Sequence, residues 1–278
     1  QFTYFHYGFH VWAIYALVGI ALAHACFNRK QPLSLRSTLE PLLGRHVNRW
    51  PGHAVDVLAV LATLFGLATS LGFGSGQFSA GLARLGNFDN STAVQVACIV
   101  GITGIATVSV LSGLSKGVRM LSQFNMVVAA LLFLTVLCLG ATGDRLSDFA
   151  ADLGQYLGGF AWMSTYRGAG NPDATWFSGW SLFYWTWWIS WSPFVGTFIA
   201  RISKGRTVRE IALYGMLLPS LLSFLWMSVF GGTAFALQFN GQADIAATVA
   251  SDSALGLFAV LEQLPAPGIT SAVAVLLV

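Results

Sequence analysis

The sequence predicts an all-α integral membrane protein, and three observations lead to that prediction. Of the 278 residues, 55% are hydrophobic and 9% are charged, whereas an average soluble domain has about 25% charged residues. The stretch from Ala174 to Ala200 contains no aspartate, glutamate, lysine, arginine or histidine, and a membrane-spanning helix needs about 20 mainly apolar residues. Stretches of the same kind recur along the chain, so we expect several crossings of a bilayer.

The apolar stretches predict six complete transmembrane helices and a seventh that is partial, within a single membrane domain over residues 1–278. The predicted helices cover about 9–28, 54–73, 92–115, 120–143, 176–200, 211–238 and 268–278. A further helix at about 147–163 has acidic residues among apolar ones, which favours a helix on the membrane surface over a polar loop. Because Gln1 lies beside a helix start and Val278 lies inside an apolar stretch, we expect an internal fragment of a longer chain, incomplete at both ends.

Basic residues divide unequally between the two sides of the predicted membrane. If successive helices alternate in direction, the connections 29–53, 116–119 and 201–210 lie on one side and hold 11 of the 14 basic residues. Cytoplasmic loops carry an excess of lysine and arginine. These connections are therefore predicted to be cytoplasmic, in a multi-pass protein of a bacterial-type cytoplasmic (inner) membrane. The connection 201–210 has an alternative role as a contact with anionic lipid or a terminal domain.

Tryptophans and tyrosines crowd the predicted helix 176–200. Trp180, Tyr184, Trp187 and Trp191 follow one another at spacings of four, three and four residues and therefore share one helical face. Trp180, with Trp176, suits the aromatic belt at a membrane interface. The rings from 187 to 191 lie 11 to 15 residues into the helix, roughly 17–22 Å deep, which is beyond that belt.

Two irregularities of the backbone are predicted in these helices. Pro193 lacks a backbone donor and is expected to distort the helix just after Trp191. Gly72, Gly74 and Gly76 predict an unwound or closely packed end for the helix 54–73. Irregular backbone at membrane depth is tolerated where it is buried or lines a cavity, so the proline favours a binding site near the tryptophans.

The deep rings of the helix 176–200 either pack against neighbouring helices or hold a ligand. An aromatic face attracts a quaternary ammonium group, which has no proton to donate, at about 0.5–2 kcal/mol per contact. No acidic residue lies near the middle of a predicted helix, the nearest being Asp56 at a helix start. The pattern therefore favours an aromatic cage for a methylated cation.

The run FYWTWWISWSPFVGTFIARISKGRTVRE, residues 183–210, resembles the signature of the betaine/choline/carnitine transporter family. The resemblance continues in FHYGFHVWAIYALVG (5–19), RKQPLSLRSTLEPLLG (29–44), DVLAVLATLFGLATSLGFG (56–74) and SGLSKGVRMLSQFNM (112–126), so it covers essentially the whole chain. It implies an inverted-repeat secondary transporter fold similar to that of the sodium-coupled amino-acid transporters, with the substrate near the membrane midplane. It also implies a homotrimer.

Through this resemblance we expect a secondary active transporter that imports a quaternary ammonium solute, such as glycine betaine, choline or carnitine, or a dimethylsulfonium analogue, by alternating access. Such a protein is not an enzyme, so we predict no catalytic residue and no cofactor. Its expected partners are the small methylated cation and the lipid bilayer, with no nucleic acid. A proton-coupled or exchange-mode carrier of the same class is the main alternative, and a channel is a more remote one.

The aromatic cage of the family carries over to Trp12, Tyr15 and Trp188. Tyr7 stands where family members commonly have a tryptophan. Its ring can still contribute to a cage, and its hydroxyl can hydrogen-bond a substrate oxygen. The resemblance assigns four further aromatic residues to the access pathway or its neighbourhood: Trp187, Trp191, Phe183 and Trp185.

The resemblance also points to a possible ion site at Thr63 and Phe194. Sodium-coupled members use two hydroxyls one helical turn apart, and here Leu67 stands in place of the second. A hard cation prefers several oxygen ligands, so the missing oxygen weakens a sodium site. Na⁺ and H⁺ both stay open as the coupling ion.

Three histidines raise the alternative of a membrane metalloenzyme. His6, His10 and His24 are separated by 4 and 14 residues and can share a helical face. Such enzymes need more histidines or carboxylates than these stretches contain. We therefore predict no metal site.

Overall fold

The computed structural model describes residues 1–111, 119–140, 145–166 and 174–278. Most of these residues are helical, and no β-strand occurs among them. The all-α fold class is therefore confirmed for the described part of the chain, while the inverted repeat stays a prediction. Most of the connection 116–119 and the ends of the predicted helices 92–115 and 120–143 lie outside the described residues.

The main helices are labelled in chain order: α1 Phe2–Asn28, α2 Trp50–Gly86, α3 Thr92–Leu111, α4 Arg119–Leu139, α5 Arg145–Gly158, α6 Phe160–Thr165, α7 Phe183–Ile202, α8 Val208–Phe239 and α9 Pro267–Leu277. Short helical segments occur at Leu35–Thr38, Glu40–Leu43, Gly44–Asn48, Ala174–Phe177, Ile245–Ser251, Ser253–Leu255 and Gly256–Leu261. Turns of π-helix lie at His24–Asn28 within α1, at Ser178–Leu182 directly before α7, and at Leu213–Leu217 within α8.

Five of the described helices, α1 to α4 and α8, are long and apolar enough to cross a membrane. The helix α7, which corresponds to the predicted crossing 176–200, is not among them. Its length is sufficient, but its tryptophans, tyrosine and serines lower the mean hydropathy of the segment. The aromatic and hydroxyl residues that predict a binding site thus also make α7 less apolar than the five candidate spans. That α7 crosses the membrane stays a prediction.

The chain divides into two compact units. The first consists of Gln1–Thr69 with Ala151–Leu225, and the second of Ser70–Ala150 with Trp226–Val278. All the site residues predicted from the sequence belong to the first unit. The fold is therefore described below mainly for that unit.

The second unit has an apolar core to which α4, α8, α9 and the segment Gly256–Leu261 contribute. Val136, Phe258 and Leu261 are fully buried there. A Cβ on Gly81 of α2 would lie 2.3 Å from the Phe258 ring, so this contact requires a glycine. Arg84 at the end of α2 forms a bidentate ion pair with Glu262, in which two guanidinium nitrogens donate to the two carboxylate oxygens.

In the first unit, α1 and α7 cross at two glycines. A Cβ on Gly19 would lie 2.5 Å from Ile199, and a Cβ on Gly196 would lie 2.4 Å from Val18. Small residues let two helix backbones approach closely inside a membrane. The crossing therefore sets a short separation between the two helices that carry Trp12, Tyr15 and Trp188.

Helix α7 runs without interruption through Pro193. The proline withholds the N–H that would bond the Ile189 carbonyl four residues earlier. The Ser192 hydroxyl donates to that carbonyl instead, at 2.8 Å. The predicted distortion at Pro193 was therefore wrong. The Ile189 carbonyl, which receives no hydrogen bond from Pro193, accepts one from the Ser192 hydroxyl.

Helix α2 continues through Gly72, Gly74 and Gly76 and ends only at Gly86. Apart from the neighbouring backbone of α2 itself, no atom of the described residues lies within 4 Å of a Cβ built on any of the three glycines. The predicted helix end was therefore wrong, and so was the close packing. Each glycine weakens a helix by about 1 kcal/mol, but an unwound segment in lipid would leave backbone groups without hydrogen bonds.

The predicted surface helix 147–163 consists of two helices, α5 and α6, which meet at Gly159. Tyr156 of α5 is fully buried in the first unit, where its ring contacts Tyr4 and Phe224 at 5.9 and 5.2 Å between centroids. Burial raises the pKa of Tyr156 to about 12, so the phenol is uncharged near neutral pH. These contacts attach α5 to the helices of the first unit.

The substitution Gly196→Val tests the close crossing of α1 and α7. The added side chain would force Val18 and the two helices apart, and over-packing of this kind costs about 1–3 kcal/mol. We expect a lower melting temperature for the purified protein in detergent. Gly104→Val is the matched control, since no atom lies within 4 Å of a Cβ at Gly104 in α3. An equal loss of stability in both variants would contradict the crossing.

Candidate functional site

Helix α1 is interrupted at Gly8, directly after Tyr7. Gly8 has φ −98° and ψ −139°, which lies outside the helical region, and the helix resumes at Phe9. The Phe224 ring of α8 occupies the space beside it: a Cβ on Gly8 would lie 2.4 Å from this ring and 2.5 Å from the Tyr4 carbonyl oxygen. Only a glycine leaves room for this ring and this carbonyl oxygen.

The interruption leaves the His6 carbonyl available to a donor from another helix. In a continuous helix that carbonyl would accept the amide of His10, four residues later. The Trp188 indole Nε1–H of α7 donates to it at 2.8 Å. This bond fixes the Trp188 ring beside Tyr7, whose ring makes an edge contact with it at 5.3 Å between centroids.

The His6 side chain makes a second connection between α1 and the aromatic helix. Its Nε2 lies 2.8 Å from the Ser181 hydroxyl, and both side chains are buried. Ser181 belongs to the π-helical turn Ser178–Leu182, and turns of this type recur at functional sites. The imidazole also stacks on the Tyr184 ring at 4.8 Å, so one histidine contacts two elements of the site.

Four rings meet beside the interruption and are called the aromatic cluster: Tyr7, Tyr184, Trp187 and Trp188. Trp187 and Trp188 stack with 4.8 Å between centroids and 9° between planes. Tyr184 stacks on them at 6.1 and 5.9 Å, and its hydroxyl accepts a hydrogen bond from the Tyr7 hydroxyl at 3.1 Å. Rings at these separations touch one another, so each member of the cluster helps to orient the others.

The other two predicted cage residues, Trp12 and Tyr15, form a pair of their own. Their rings make an edge contact at 5.7 Å. Tyr15 is buried in an apolar group with Val11 and two isoleucines of α7 and α8, and both Trp12 and Trp188 pack against that group. The four predicted cage residues thus all lie where α1 contacts α7. Tyr7 and Trp188 belong to the aromatic cluster, and Trp12 and Tyr15 form the pair beside it.

Three of the four predicted pathway residues lie along α7 near the cluster. Trp187 is a member of the cluster, and Phe183 contacts it at 5.6 Å. Trp191 contacts Phe194 at 5.4 Å, and a Cβ on Gly66 of α2 would lie 3.1 Å from its ring. The predicted pathway rings thus extend along α7 from the aromatic cluster to Trp191, which lies beside α2.

Trp185, the fourth predicted pathway residue, has different surroundings. Its ring contacts Phe5 and His10 at 5.2 and 5.7 Å. It lines a cavity of about 390 Å³ together with Ser164 of α6, whose hydroxyl lies 2.7 Å from His10 Nε2. Trp185 thus borders a cavity next to α6 and does not contact the rings of the aromatic cluster.

The two residues of the possible ion site, Thr63 and Phe194, line one cavity of about 380 Å³ between α2 and α7. The Thr63 hydroxyl donates to a carbonyl of its own helix at 2.8 Å, which leaves its oxygen lone pairs for other contacts. Thr197, one turn after Phe194, lines the same cavity and donates to its own helix at 2.7 Å. Asp56 also lines it and forms an ion pair with Arg36 at 3.2 Å.

The histidines of α1 do not converge on a common centre. His6 bonds Ser181 and His10 bonds Ser164, on separate elements. Within the described ranges, no three histidine, cysteine, aspartate or glutamate side chains lie close enough together to hold a metal ion. The arrangement gives no support to the metalloenzyme alternative.

Several features of the site were missed from the sequence. Tyr184 was placed on the helical face of Trp187, but its contact with Tyr7 was not foreseen. The interruption at Gly8 had a local signal, since an isolated glycine inside a helical pattern marks a weak point. Thr197 also lines the cavity of Thr63 and Phe194 and was not predicted. Its position one turn after Phe194 was a usable signal.

This chain resembles a known protein family and several curated proteins over essentially its whole length. All of its residues, 1–278, match the family model described as BCCT, betaine/carnitine/choline family transporter. The chain is 44% identical over 276 residues to glycine betaine transporter 1 of Vibrio parahaemolyticus, covering 99% of this chain and 52% of that protein. It is 41% identical over 279 residues to the glycine betaine transporter OpuD of Bacillus subtilis, covering 100% of this chain and 54% of that protein.

A glycine betaine/proline/choline transporter of Vibrio parahaemolyticus is 44% identical over 276 residues, covering 99% of this chain and 49% of that protein. The chain thus spans about half the length of these curated relatives. The matching family consists of transporters and not of enzymes, and the resemblance found in the sequence is confirmed. This chain belongs to the betaine/carnitine/choline family of transporters.

Proposed function

We propose that the protein containing this chain is a secondary active transporter that imports a methylated cationic or zwitterionic solute by alternating access. The observation that carries the proposal is the Trp188 indole, which the His6 carbonyl fixes within the aromatic cluster. Neither α1 nor α7 contains an acidic residue, so ring faces take the place of a carboxylate. The names of the relatives support a solute of this class, since they mention glycine betaine and choline, which are methylated, although one name also includes proline, which is not.

The methylated head group is proposed to lie between the aromatic cluster and the Trp12–Tyr15 pair. Rings within each group already touch, so a trimethylammonium group does not fit between members of one group. Trp188 of the cluster and Trp12 of the pair pack against the same apolar group. A head group at this position contacts rings from both α1 and α7.

The energetics of such a site suit a transporter. A cation over an aromatic face gains about 0.5–2 kcal/mol per ring, and three or four rings support an affinity in roughly the micromolar to millimolar range. A carboxylate partner would bind a cation more tightly in a medium of low dielectric constant. Moderate affinity allows release of the solute on the cytoplasmic side.

The substitution Trp188→Leu tests the central residue of the cage. It removes the ring and also the donor to the His6 carbonyl, so we expect loss of at least about tenfold in uptake. Radiolabelled uptake by cells would be compared with the amount of protein in the membrane. Trp50→Leu is the control, because Trp50 at the start of α2 is 79% exposed. Near-normal uptake by the Trp188 variant would remove this residue from the site.

The substitution Tyr7→Trp tests whether residue 7 sets solute preference. It restores the residue common in the family, removes the hydroxyl that bonds Tyr184, and enlarges the ring that contacts Trp188. We expect uptake to persist with a changed order of preference among glycine betaine, choline and carnitine. Tyr7→Phe separates the effect of the hydroxyl from that of ring size. Unchanged preference in the Tyr7→Trp variant would contradict this role.

The cavity between α2 and α7 is proposed as the place of the coupling ion. Thr63, Phe194 and Thr197 line it, and the two threonine oxygens keep lone pairs for a cation while they donate to their own helices. A sodium ion prefers several oxygen ligands, so two hydroxyls from separate helices make a sodium site more plausible than Thr63 alone. A proton and solute exchange are the alternatives for driving transport.

Uptake into proteoliposomes decides among these coupling modes. We expect solute accumulation with an imposed sodium gradient, and Thr63→Val and Thr197→Val should each raise the sodium concentration needed for half-maximal uptake. Accumulation driven by a proton gradient alone would assign proton coupling. Uptake that requires only counter-substrate would contradict symport. Uptake that neither saturates nor is competitively inhibited would indicate a channel.

We further propose a homotrimer in the cytoplasmic (inner) membrane, with the basic connections 29–53, 116–119 and 201–210 facing the cytoplasm. In the described part of these connections, Arg29 pairs with Glu40 at 3.0 Å and Arg206 with Glu210 at 3.5 Å. Thr207 and Glu210 also cap the start of α8 reciprocally. These segments hold 11 of the 14 lysine and arginine residues, and such an excess supports their cytoplasmic placement.

A further inference from the structure

Most hydrogen-bonding groups around the aromatic cluster are paired with other groups of the protein. The Trp188 N–H bonds the His6 carbonyl at 2.8 Å, and His6 Nε2 pairs with the Ser181 hydroxyl at 2.8 Å. The Tyr7 hydroxyl donates to the Tyr184 hydroxyl at 3.1 Å. A phenol is one donor and also an acceptor, so this last bond engages an oxygen lone pair of Tyr184 and leaves the Tyr184 proton for another partner.

The Tyr184 side chain, which carries that proton, is surrounded by aromatic rings. Within the described ranges, the Tyr184 hydroxyl accepts a hydrogen bond from Tyr7 and donates its own proton to no protein acceptor. The rings of His6, Trp188 and Trp187 stack against Tyr184 at 4.8, 5.9 and 6.1 Å. Tyr184 is half-buried, and a polar hydrogen that is partly removed from water is less stable without an acceptor. The bond received from Tyr7 also strengthens Tyr184 as a donor, because linked hydrogen bonds polarise one another.

We infer that Tyr184 recognises the oxygen-bearing end of the solute. Its hydroxyl donates to a carboxylate or hydroxyl oxygen while Trp188 contacts the methylated head group. This inference rests on the proposed function and adds a specificity-determining residue to it. Tyr7 is then a positioning residue, since its hydroxyl proton is already donated to Tyr184 and its effect on the oxygen is indirect.

The dimensions of the cluster suit this arrangement. The rings of Tyr184 and Trp188 are 5.9 Å apart and nearly parallel, with 21° between their planes. In glycine betaine and in choline, only one or two carbon atoms separate the quaternary nitrogen from the oxygen-bearing group. A solute with its head group against Trp188 therefore brings its oxygen close to the neighbouring phenol.

A pair of matched solutes tests the inference on the unmodified protein. Propyltrimethylammonium has the shape of choline, with a methyl group in place of the hydroxyl. Inhibition constants for choline, glycine betaine and propyltrimethylammonium would be measured against uptake of radiolabelled glycine betaine by the full-length protein in proteoliposomes. We expect the oxygen-bearing solutes to bind about tenfold or more tightly than propyltrimethylammonium. Equal constants for choline and propyltrimethylammonium would overturn the inference.

The variant Tyr184→Phe tests the same point from the side of the protein. It retains the ring and removes the donor, so binding of choline and glycine betaine should weaken about tenfold or more, with a change of less than about twofold for propyltrimethylammonium. Tyr7→Phe should have a smaller effect in the same direction. The double variant should match Tyr184→Phe alone, because Tyr7 acts through Tyr184.

Tyr214→Phe is the matched control, since it removes a phenol hydroxyl from a residue of α8 that is 68% exposed. Its constants should equal those of the unmodified protein. Equal weakening of all three solutes by Tyr184→Phe would overturn the role in oxygen recognition and leave the proposed function intact. Absence of uptake of glycine betaine, choline and carnitine alike by the unmodified protein would instead overturn the proposed function. If Tyr184→Phe does not fold, equal constants for choline and propyltrimethylammonium on the unmodified protein would still overturn the inference.

Discussion

The interruption of α1 at Gly8 is the constraint on which the rest of the site depends. Inside a membrane, a backbone carbonyl released from a helix must find another donor, because lipid offers none. The Trp188 indole is that donor for His6, at 2.8 Å, and the Phe224 ring fills the space beside the glycine. A backbone irregularity in one helix thereby orients an aromatic ring in another, and the rest of the aromatic cluster packs around that ring.

Helix α7, unlike α1, is continuous from its first residue to its last. The Ser192 hydroxyl satisfies the carbonyl that Pro193 leaves, so α7 stays helical on both sides of the proline. The rings before Pro193 and Phe194 after it therefore keep fixed angular positions. The glycine crossing of α1 and α7 then holds the two helices at a short separation. A binding site built on rigid elements keeps its side chains closer to their working geometry than one built on loops.

The sequence predicted the features of the site that depend on local pattern. Apolar stretches predicted the helices because lipid requires them, and family resemblance supplied Trp12, Tyr15 and Trp188. Contacts between distant segments were not predictable in this way: Tyr7 and Tyr184 are 177 positions apart, and no periodicity within either helix shows that their hydroxyls meet. The continuity of α7 was missed because the effect of a proline depends on whether a nearby hydroxyl replaces its lost donor.

An uncharged cage limits the solutes that it can hold well. Removing a full charge from water costs several kcal/mol, and each ring face offsets only about 0.5–2 kcal/mol of that cost. A methylated zwitterion carries its own counter-charge, so less of the electrostatic cost falls on the rings. Its carboxylate also accepts a stronger hydrogen bond from a phenol than a neutral hydroxyl does. The proposed site consists of ring faces and one phenol donor, with no acidic residue in α1 or α7. We therefore expect it to suit a methylated zwitterion better than a simple methylated cation.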